Sequence, residues 1–197
     1  QSMATAAKAE KLLELGLWQD ARQVLQNAKP STATNLVQAK MAILNNEFTT
    51  AEKLVNQVLK TDPTLPEALL LRSRLEVQAW ELPKAMATAQ QVLQRDPKHE
   101  AAALAIGRVL MLQKKYGEAL QWAKKVQNWN PKNAEAYLLE SDVHFWNQKP
   151  ELAEEPLIKS LTLNPFNPDA RFNYGYAIWR RVDATQLNDM AAQWELA

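Results

Sequence analysis

The sequence predicts an all-α fold in which short helix pairs stack into an α-solenoid. Three observations predict it: prolines recur every 34 residues, small residues recur with the same period, and the segments between them carry apolar residues at helical spacing. We find no segment with the strict alternation of apolar and polar residues that is typical of a strand. One amphipathic helix pair cannot bury its apolar side alone, so the pairs are expected to share a continuous core with their neighbours.

The prolines mark the end of each repeat. Asp-Pro or Asn-Pro junctions, where helices are expected to end, recur 34 residues apart at Pro63, Pro97, Pro131 and Pro165. This period divides the chain into units at about 4–31, 32–65, 66–99, 100–133 and 134–167, followed by an incomplete unit at 168–197. We interpret residues 4–197 as a single array that is a fragment of a larger protein, and residues 1–3 as the scar of a cleaved tag.

Small residues recur in phase with the prolines. One column contains Ala39, Ser73, Gly107, Ser141 and Gly175. A second column contains Ala51, Ala85, Ala119 and Ala153. Because a small side chain lets two helix backbones approach each other, the two columns predict two close helix crossings in each unit.

The helix boundaries can also be predicted. Pro66 suits the first position of a helix and Glu67 suits its first turn, and a second helix is expected from near Pro83 to Arg95. Asn133 and Asn167 stand where N-caps would accept the free amides of the next helix. Each unit is therefore predicted to be two helices joined by a short turn.

The pattern resembles the tetratricopeptide repeat family, whose unit carries a large apolar residue followed by Gly, then Ala at position 20 and Pro at position 32. The unit that begins at Glu100 matches best, through Ile106, Gly107, Leu110, Tyr116, Ala119 and Pro131. The resemblance covers essentially the whole chain. It implies a right-handed superhelix of antiparallel helix pairs, with a concave groove lined mainly by the first helix of each pair.

Two features depart from the family pattern. Positions 7 and 11 are normally apolar, but two units carry charged or polar residues there: Arg72 with Glu76, and Glu140 with His144. Either these residues pair four apart within a helix, or the helix is rotated. Pro156 falls about six residues into a second helix, where it removes a backbone hydrogen bond, so we predict a kink.

Composition argues against several classes of protein. The net charge of +1 provides no electrostatic footprint for nucleic acid, and no apolar run is long enough to insert into a membrane. The absence of cysteine rules out a disulfide framework, which fits the cytoplasm and also a bacterial periplasm, so the expected protein is soluble and its compartment stays open. Glutamine-rich helices without cysteine suggest a bacterial source.

Residues for catalysis or metal binding are scarce. Glu140 and His144 share one helical face and could ligate a metal, yet no further His, Cys or HExxH motif completes a site. Phosphate-binding glycine loops and nucleophile motifs are absent from the sequence. We therefore expect no enzyme activity, no metal and no cofactor.

The family resemblance places positions 5, 9 and 12 of each first helix in the groove. Position 5 is apolar throughout, with Ala6, Leu36, Leu70, Leu104, Leu138 and Phe172. Position 12 is also apolar, with Leu13, Ile43, Val77, Met111, Phe145 and Trp179. Position 9 holds Glu10, Lys40, Arg74, Arg108, Asp142 and Tyr176. Three consecutive cations beside an apolar trough favour a protein or peptide with apolar anchors and acidic groups, although such long side chains can also simply lie along neighbouring helices.

The candidate groove residues are Lys40, Arg74, Arg108, Leu70, Leu104, Met111, Phe145, Phe172, Tyr176 and Trp179. By contrast, Tyr174 and Ile178 occupy core positions. The family's clamp for chaperone C-termini needs Lys at position 5, which no unit has. The predicted function is a non-catalytic protein-interaction module. The alternatives are a structural spacer or homo-oligomer scaffold, or an accessory domain of an enzyme whose catalytic part lies elsewhere.

Overall fold

A computed structural model describes residues 2–180 and 187–197, with the backbone alone for residues 187–190. The described residues form helices and no strands, which confirms the all-α prediction. In chain order the α-helices are α1 (Ser2–Glu14), α2 (Trp18–Gln26), α3 (Thr32–Leu44), α4 (Phe48–Thr61), α5 (Pro66–Gln78), α6 (Leu82–Arg95), α7 (Glu100–Leu112), α8 (Tyr116–Trp129), α9 (Ala134–Trp146), α10 (Glu154–Leu163), α11 (Pro168–Arg180) and α12 (Leu187–Glu195). Odd-numbered helices are the first helices of the pairs, and even-numbered helices are the second.

The chain divides into two compact units, which we call the N-terminal unit (Gln1–Ala105) and the C-terminal unit (Ile106–Ala197). In the N-terminal unit, one buried cluster joins α1, α2 and α3 around Ala9, Ala21 and Val37. A second cluster there joins α3 to α6 around Val55 and Leu71. The largest fully buried side chains of the C-terminal unit are Val109, Val126, Leu139, Val143 and Leu157.

Several helix starts follow the predicted chemistry. Helix α5 begins at Pro66, as expected for a residue that lacks a backbone amide proton. Asn133 and Asn167 are both N-caps, because their side-chain oxygens accept hydrogen bonds of 3.0 Å from the backbone amides of Ala136 and Ala170. These starts are therefore determined by local sequence.

In two helix pairs, a residue of the first small column lies against a residue of the second small column. The hydroxyl of Ser73 on α5 donates a hydrogen bond of 2.8 Å to the carbonyl oxygen of Ala85 on α6. A Cβ atom on Gly107 of α7 would lie 3.6 Å from the carbonyl oxygen of Ala119 on α8. In these pairs the first and second helices therefore approach each other through one residue of each column.

At Pro156 the structure has a delayed helix start and not the predicted kink. A 3₁₀ turn at Pro150–Leu152 precedes α10, which begins only at Glu154, so Pro156 is its third residue. The amides of the first helical turn have no partner within the helix, and a proline there removes no hydrogen bond. The chain therefore starts the α-helix later and does not kink it.

The polar residues at positions 7 and 11 pair across helices. In the N-terminal unit, Arg72 donates a hydrogen bond of 2.6 Å to Asn56 of α4, whereas Glu76 accepts one of 2.8 Å from Thr88 of α6. Their side chains therefore reach towards different neighbours, so of the two alternatives the pairing within one helix does not hold for Arg72 and Glu76. A cleft lies between the three helices.

The second polar set forms a compact buried network in the C-terminal unit. The Glu140 carboxylate accepts bonds of 2.7 Å from Lys124 Nζ and from Gln127 Nε2 of α8. His144 Nε2 lies 3.9 Å from Glu140, and burial lowers the pKa of the His144 imidazole below its ordinary value. These contacts satisfy the buried Glu140 from within the chain.

The crossing at Gly107 makes a testable prediction. An added Cβ would stand 2.6 Å from Leu139 Cδ2, and Leu139 is fully buried and cannot move aside freely. We expect Gly107→Ala to lower the free energy of unfolding by about 1–3 kcal/mol, measured by urea denaturation. The control is Gly117→Ala, whose Cβ would meet nothing within 4 Å and which should leave the stability equal or higher. Equal stability of the two variants would contradict the close crossing.

Candidate functional site

We call the side of the first helices that carries positions 5, 9 and 12 the first-helix face. In the N-terminal unit, the half-buried Lys40 of α3 forms an ion pair with Glu10 of α1. Both residues belong to position 9 of neighbouring helix pairs. Arg74, at the same position of α5, is exposed. The first cation of the predicted ladder is therefore already matched by a carboxylate of the chain itself.

The cation at position 9 of α7 is matched in the same way. Arg108 Nη2 lies 2.5 Å from Glu135 Oε2 at the start of α9. The other oxygen of Glu135 accepts a hydrogen bond of 2.6 Å from Asn167, which also caps α11. Sequence reasoning missed Glu135, and its position at the start of the next first helix was the one signal that could have indicated it. Arg108, Glu135 and Asn167 thus link three successive first helices of the C-terminal unit.

Asp142 has the most perturbed environment on this face. Its carboxylate accepts a hydrogen bond of 2.7 Å from the amide of Asn173 on α11. The pKa of Asp142 is raised to about 7, mainly by burial. The charges of Asp169 and Glu135 also raise it, whereas Arg108 and the Asn173 bond lower it. Asp142 is therefore partly protonated near neutral pH.

An aromatic cluster lies on the same face. The rings of Phe145 and Tyr176 are 6.3 Å apart in an edge-to-face arrangement, and Tyr176 is 5.6 Å from Trp179. Tyr176 and Trp179 expose 39 % and 52 % of their surface. Phe172, which is 56 % exposed, stacks instead on Trp194 of α12 at 6.3 Å. We call Phe145, Tyr176 and Trp179 the aromatic cluster.

The remaining predicted groove residues are less accessible. Leu104 and Met111 are buried, with 3 % and 7 % of their surface exposed, and Leu70 is half-buried. Tyr174 is half-buried against a core cluster and Ile178 is buried, in line with the prediction that they belong to the core. Of the apolar groove candidates, Phe172, Tyr176 and Trp179 are the exposed ones in this structure.

Across residues 2–180 and 187–197, no group of three or more His, Cys, Asp or Glu side chains is placed to hold a metal ion. The helices that the structure describes are also too short or too polar to cross a bilayer. What the face offers is exposed aromatic surface beside hydrogen-bonded charges.

Comparison with known proteins tests the family resemblance. The sequence model of the tetratricopeptide repeat family matches residues 81–143. The resemblance to the tetratricopeptide repeat family is confirmed over these residues. A search of curated protein sequences finds no match. The family evidence from sequence therefore comes from the model match over residues 81–143.

Solved structures of other proteins share the fold. A thermophilic protein of this family from Thermus thermophilus is 19 % identical, with a TM-score of 0.71 over 84 % of this chain and 89 % of that chain. One from Parabacteroides merdae is 16 % identical, with a TM-score of 0.70 over 98 % and 82 %. PilF from Pseudomonas aeruginosa is 17 % identical, with a TM-score of 0.62 over 83 % and 75 %. At these identities the similarity establishes the solenoid fold alone.

The raised pKa of Asp142 makes stability depend on pH. Between about pH 4 and pH 7 the unfolded chain releases this proton while the folded chain keeps it, so stability should fall as the pH rises through that window. Asp142→Asn keeps an acceptor for Asn173 and removes the ionisation. We expect the variant to gain about 1–4 kcal/mol over the wild type at pH 8 and little at pH 4, measured by urea denaturation.

A control removes one exposed carboxylate elsewhere in the C-terminal unit. Glu118→Gln makes the same change in net charge and should show no comparable gain at pH 8. If the advantage of Asp142→Asn is the same at both pH values, the Asp142 carboxyl titrates normally in the folded chain.

Proposed function

We propose that this chain is a non-catalytic protein-interaction module that binds a segment of a partner protein along the first-helix face. The aromatic cluster carries the proposal. Tyr176 and Trp179 contact each other and remain 39 % and 52 % exposed, although burying such rings is strongly favourable. Grouped exposed aromatic side chains are typical of interaction surfaces, where Trp and Tyr contribute much of the binding energy.

The position of the cluster supports an extended segment as the ligand. Phe145 lies on α9, whereas Tyr176 and Trp179 lie on α11, so the rings bridge successive first helices. Phe172 continues the apolar surface one turn before Tyr176 on α11. A partner that places an apolar anchor on these rings would therefore contact more than one repeat.

The acidic groups predicted for the partner are expected to bind near Arg74 and near Arg108. Lys40 and Arg108 already have carboxylate partners in Glu10 and Glu135, and an incoming acid would join or replace them. We propose that acidic side chains of the partner bind at Arg108 of the C-terminal unit, which also holds the aromatic cluster, and set its register, while the apolar anchor provides most of the affinity. In the N-terminal unit, the exposed Arg74 is the corresponding place where an acidic group can bind.

The aromatic cluster can be tested with peptides selected by the wild-type chain from a random library. We expect Tyr176→Ala combined with Trp179→Ala to weaken the selected peptides at least about tenfold in calorimetry, because the anchor loses its contact surface. Trp80→Ala is the control, since Trp80 is 65 % exposed but lies at the turn between α5 and α6. Unchanged binding by the double variant would refute the proposed face. A wild-type dimer that the double variant abolishes, seen by sedimentation, would favour the homo-oligomer scaffold.

The acidic part of the proposal has its own test. Arg74→Glu with Arg108→Glu should weaken acidic selected peptides about tenfold or more, and should remove most of the dependence of their affinity on salt. Lys60→Glu with Arg95→Glu makes the same change in net charge on exposed positions of the second helices and should have little effect. If the two double variants behave alike and both stay folded, only general electrostatics is involved.

A further inference from the structure

A cleft of about 470 Å³ opens in the N-terminal unit between α4, α5 and α6. Phe48, Val55 and Leu75 form apolar wall, and Asn56, Arg72 and Glu76 provide polar groups. The volume lies within the range of small-molecule sites. Most of the lining is polar, since eight of its twelve residues carry polar or charged side chains. On α5 the cleft is lined by residues other than positions 5, 9 and 12, so it is separate from the first-helix face.

The two charged side chains in the cleft are held by neutral partners. The guanidinium of Arg72 donates to the Asn56 side chain of α4 at 2.6 Å, and the carboxylate of Glu76 accepts from the Thr88 hydroxyl of α6 at 2.8 Å. In the described part of the chain, neither charge lies within 4.0 Å of an opposite one. Both residues are half-buried. The cleft therefore presents one fixed cation and one fixed anion that do not neutralise each other.

The charges at the mouth of the cleft do not cancel these two. Lys84 Nζ bonds to Glu81 at 2.7 Å, and both side chains are well exposed. The Glu81 bond is the main reason that the pKa of Lys84 is raised, and Glu76 contributes least. Glu52 also lines the cleft and is exposed. Exposed charges of this kind are screened by solvent, whereas half-buried Arg72 and Glu76 are screened less.

In the C-terminal unit, the polar residue at position 7 has charged and polar partners within the chain. Glu140 occupies the position of Arg72 in its unit, is buried, and receives both Lys124 and Gln127. Among the described residues, Arg72 bonds the neutral Asn56 and has no carboxylate within 4.0 Å. A cation in a cleft usually gains from a carboxylate with two parallel hydrogen bonds. Arg72 and Glu76 are therefore able to bind charged groups of a ligand.

We propose that this cleft binds a small zwitterion of the α-amino acid class with an apolar side chain. Its carboxylate binds Arg72, its ammonium group binds Glu76, and its side chain packs against Phe48, Val55 and Leu75. Arg72 and Glu76 stand one helical turn apart and lean towards different helices, which leaves room for a ligand between them. A zwitterion with hydrogen bonds of about 2.8 Å at each end spans charged groups roughly 6–9 Å apart.

The probes are L-leucine and L-phenylalanine, followed by calorimetry and by NMR shifts of Phe48 and of the Arg72 side chain. We expect saturable binding with a Kd below about 1 mM. N-acetyl-leucine amide, which keeps the apolar side chain and lacks both charges, should bind at least about tenfold more weakly. Absence of saturable binding by both amino acids at about 10 mM would overturn the proposal, as would equal binding of the uncharged analogue.

Two variants identify the site. Arg72→Gln and Glu76→Gln retain hydrogen-bonding groups for Asn56 and Thr88, so both should stay folded, and each should weaken the amino acids at least about tenfold. Arg95→Gln is the matched control, because it removes an exposed cation from α6, which also borders the cleft, and should leave binding unchanged. Unchanged affinity in Arg72→Gln and Glu76→Gln would refute the assignment. The Tyr176→Ala and Trp179→Ala double variant should bind the amino acids normally, which separates this cleft from the proposed partner face.

Discussion

The close approach of the two helices in each pair is the constraint on which the rest of the structure depends. Ser73 reaches the backbone of Ala85 at 2.8 Å, and Gly107 leaves no room for a Cβ beside Leu139. Backbones can approach this closely only where the side chains are small, and this fixes both the rotation and the register of each helix. Once the small side is fixed, positions 7 and 11 must face neighbouring helices, and positions 9 and 12 are left for the first-helix face.

Charges inside such a structure are tolerated only with partners. Glu140 is buried with Lys124 and Gln127, which offset the cost of removing a carboxylate from water. Arg72 and Glu76 instead keep neutral partners and line an open cleft. On the first-helix face, Lys40 and Arg108 are held by Glu10 and Glu135. The position 9 cations Lys40 and Arg108 thus form ion pairs between neighbouring repeats. Because each is paired with a carboxylate, it attracts an outside anion less strongly than the sequence suggests.

The aromatic cluster shows the converse situation. Tyr176 and Trp179 have the large apolar surface of core residues, yet they are exposed because the small residues of α11, such as Gly175, take the buried side of the helix. Asp142 lies one turn from Phe145 on α9, and burial raises its pKa to about 7. The aromatic rings and a carboxyl group with a raised pKa therefore occupy the same face of the C-terminal unit. Burial of this face by a partner would change the solvation free energy of both.

The sequence by itself determined the helical pairs, their 34-residue period and several of their ends, because these depend on local chemistry: proline at Pro66, amide caps at Asn133 and Asn167, and small residues at Ser73 and Gly107. It also placed the exposed Phe172, Tyr176 and Trp179 among the groove candidates. Only the tertiary structure decided which partners the charged residues take, since Arg108 meets Glu135 from 27 positions away and Glu140 meets Lys124 of another helix. It also decided that Leu104 and Met111 are buried and that Pro156 lies in the first turn of a helix. The physical reason is that a 34-residue period specifies the face of a helix, whereas the reach of a long side chain across to its neighbours depends on packing in three dimensions.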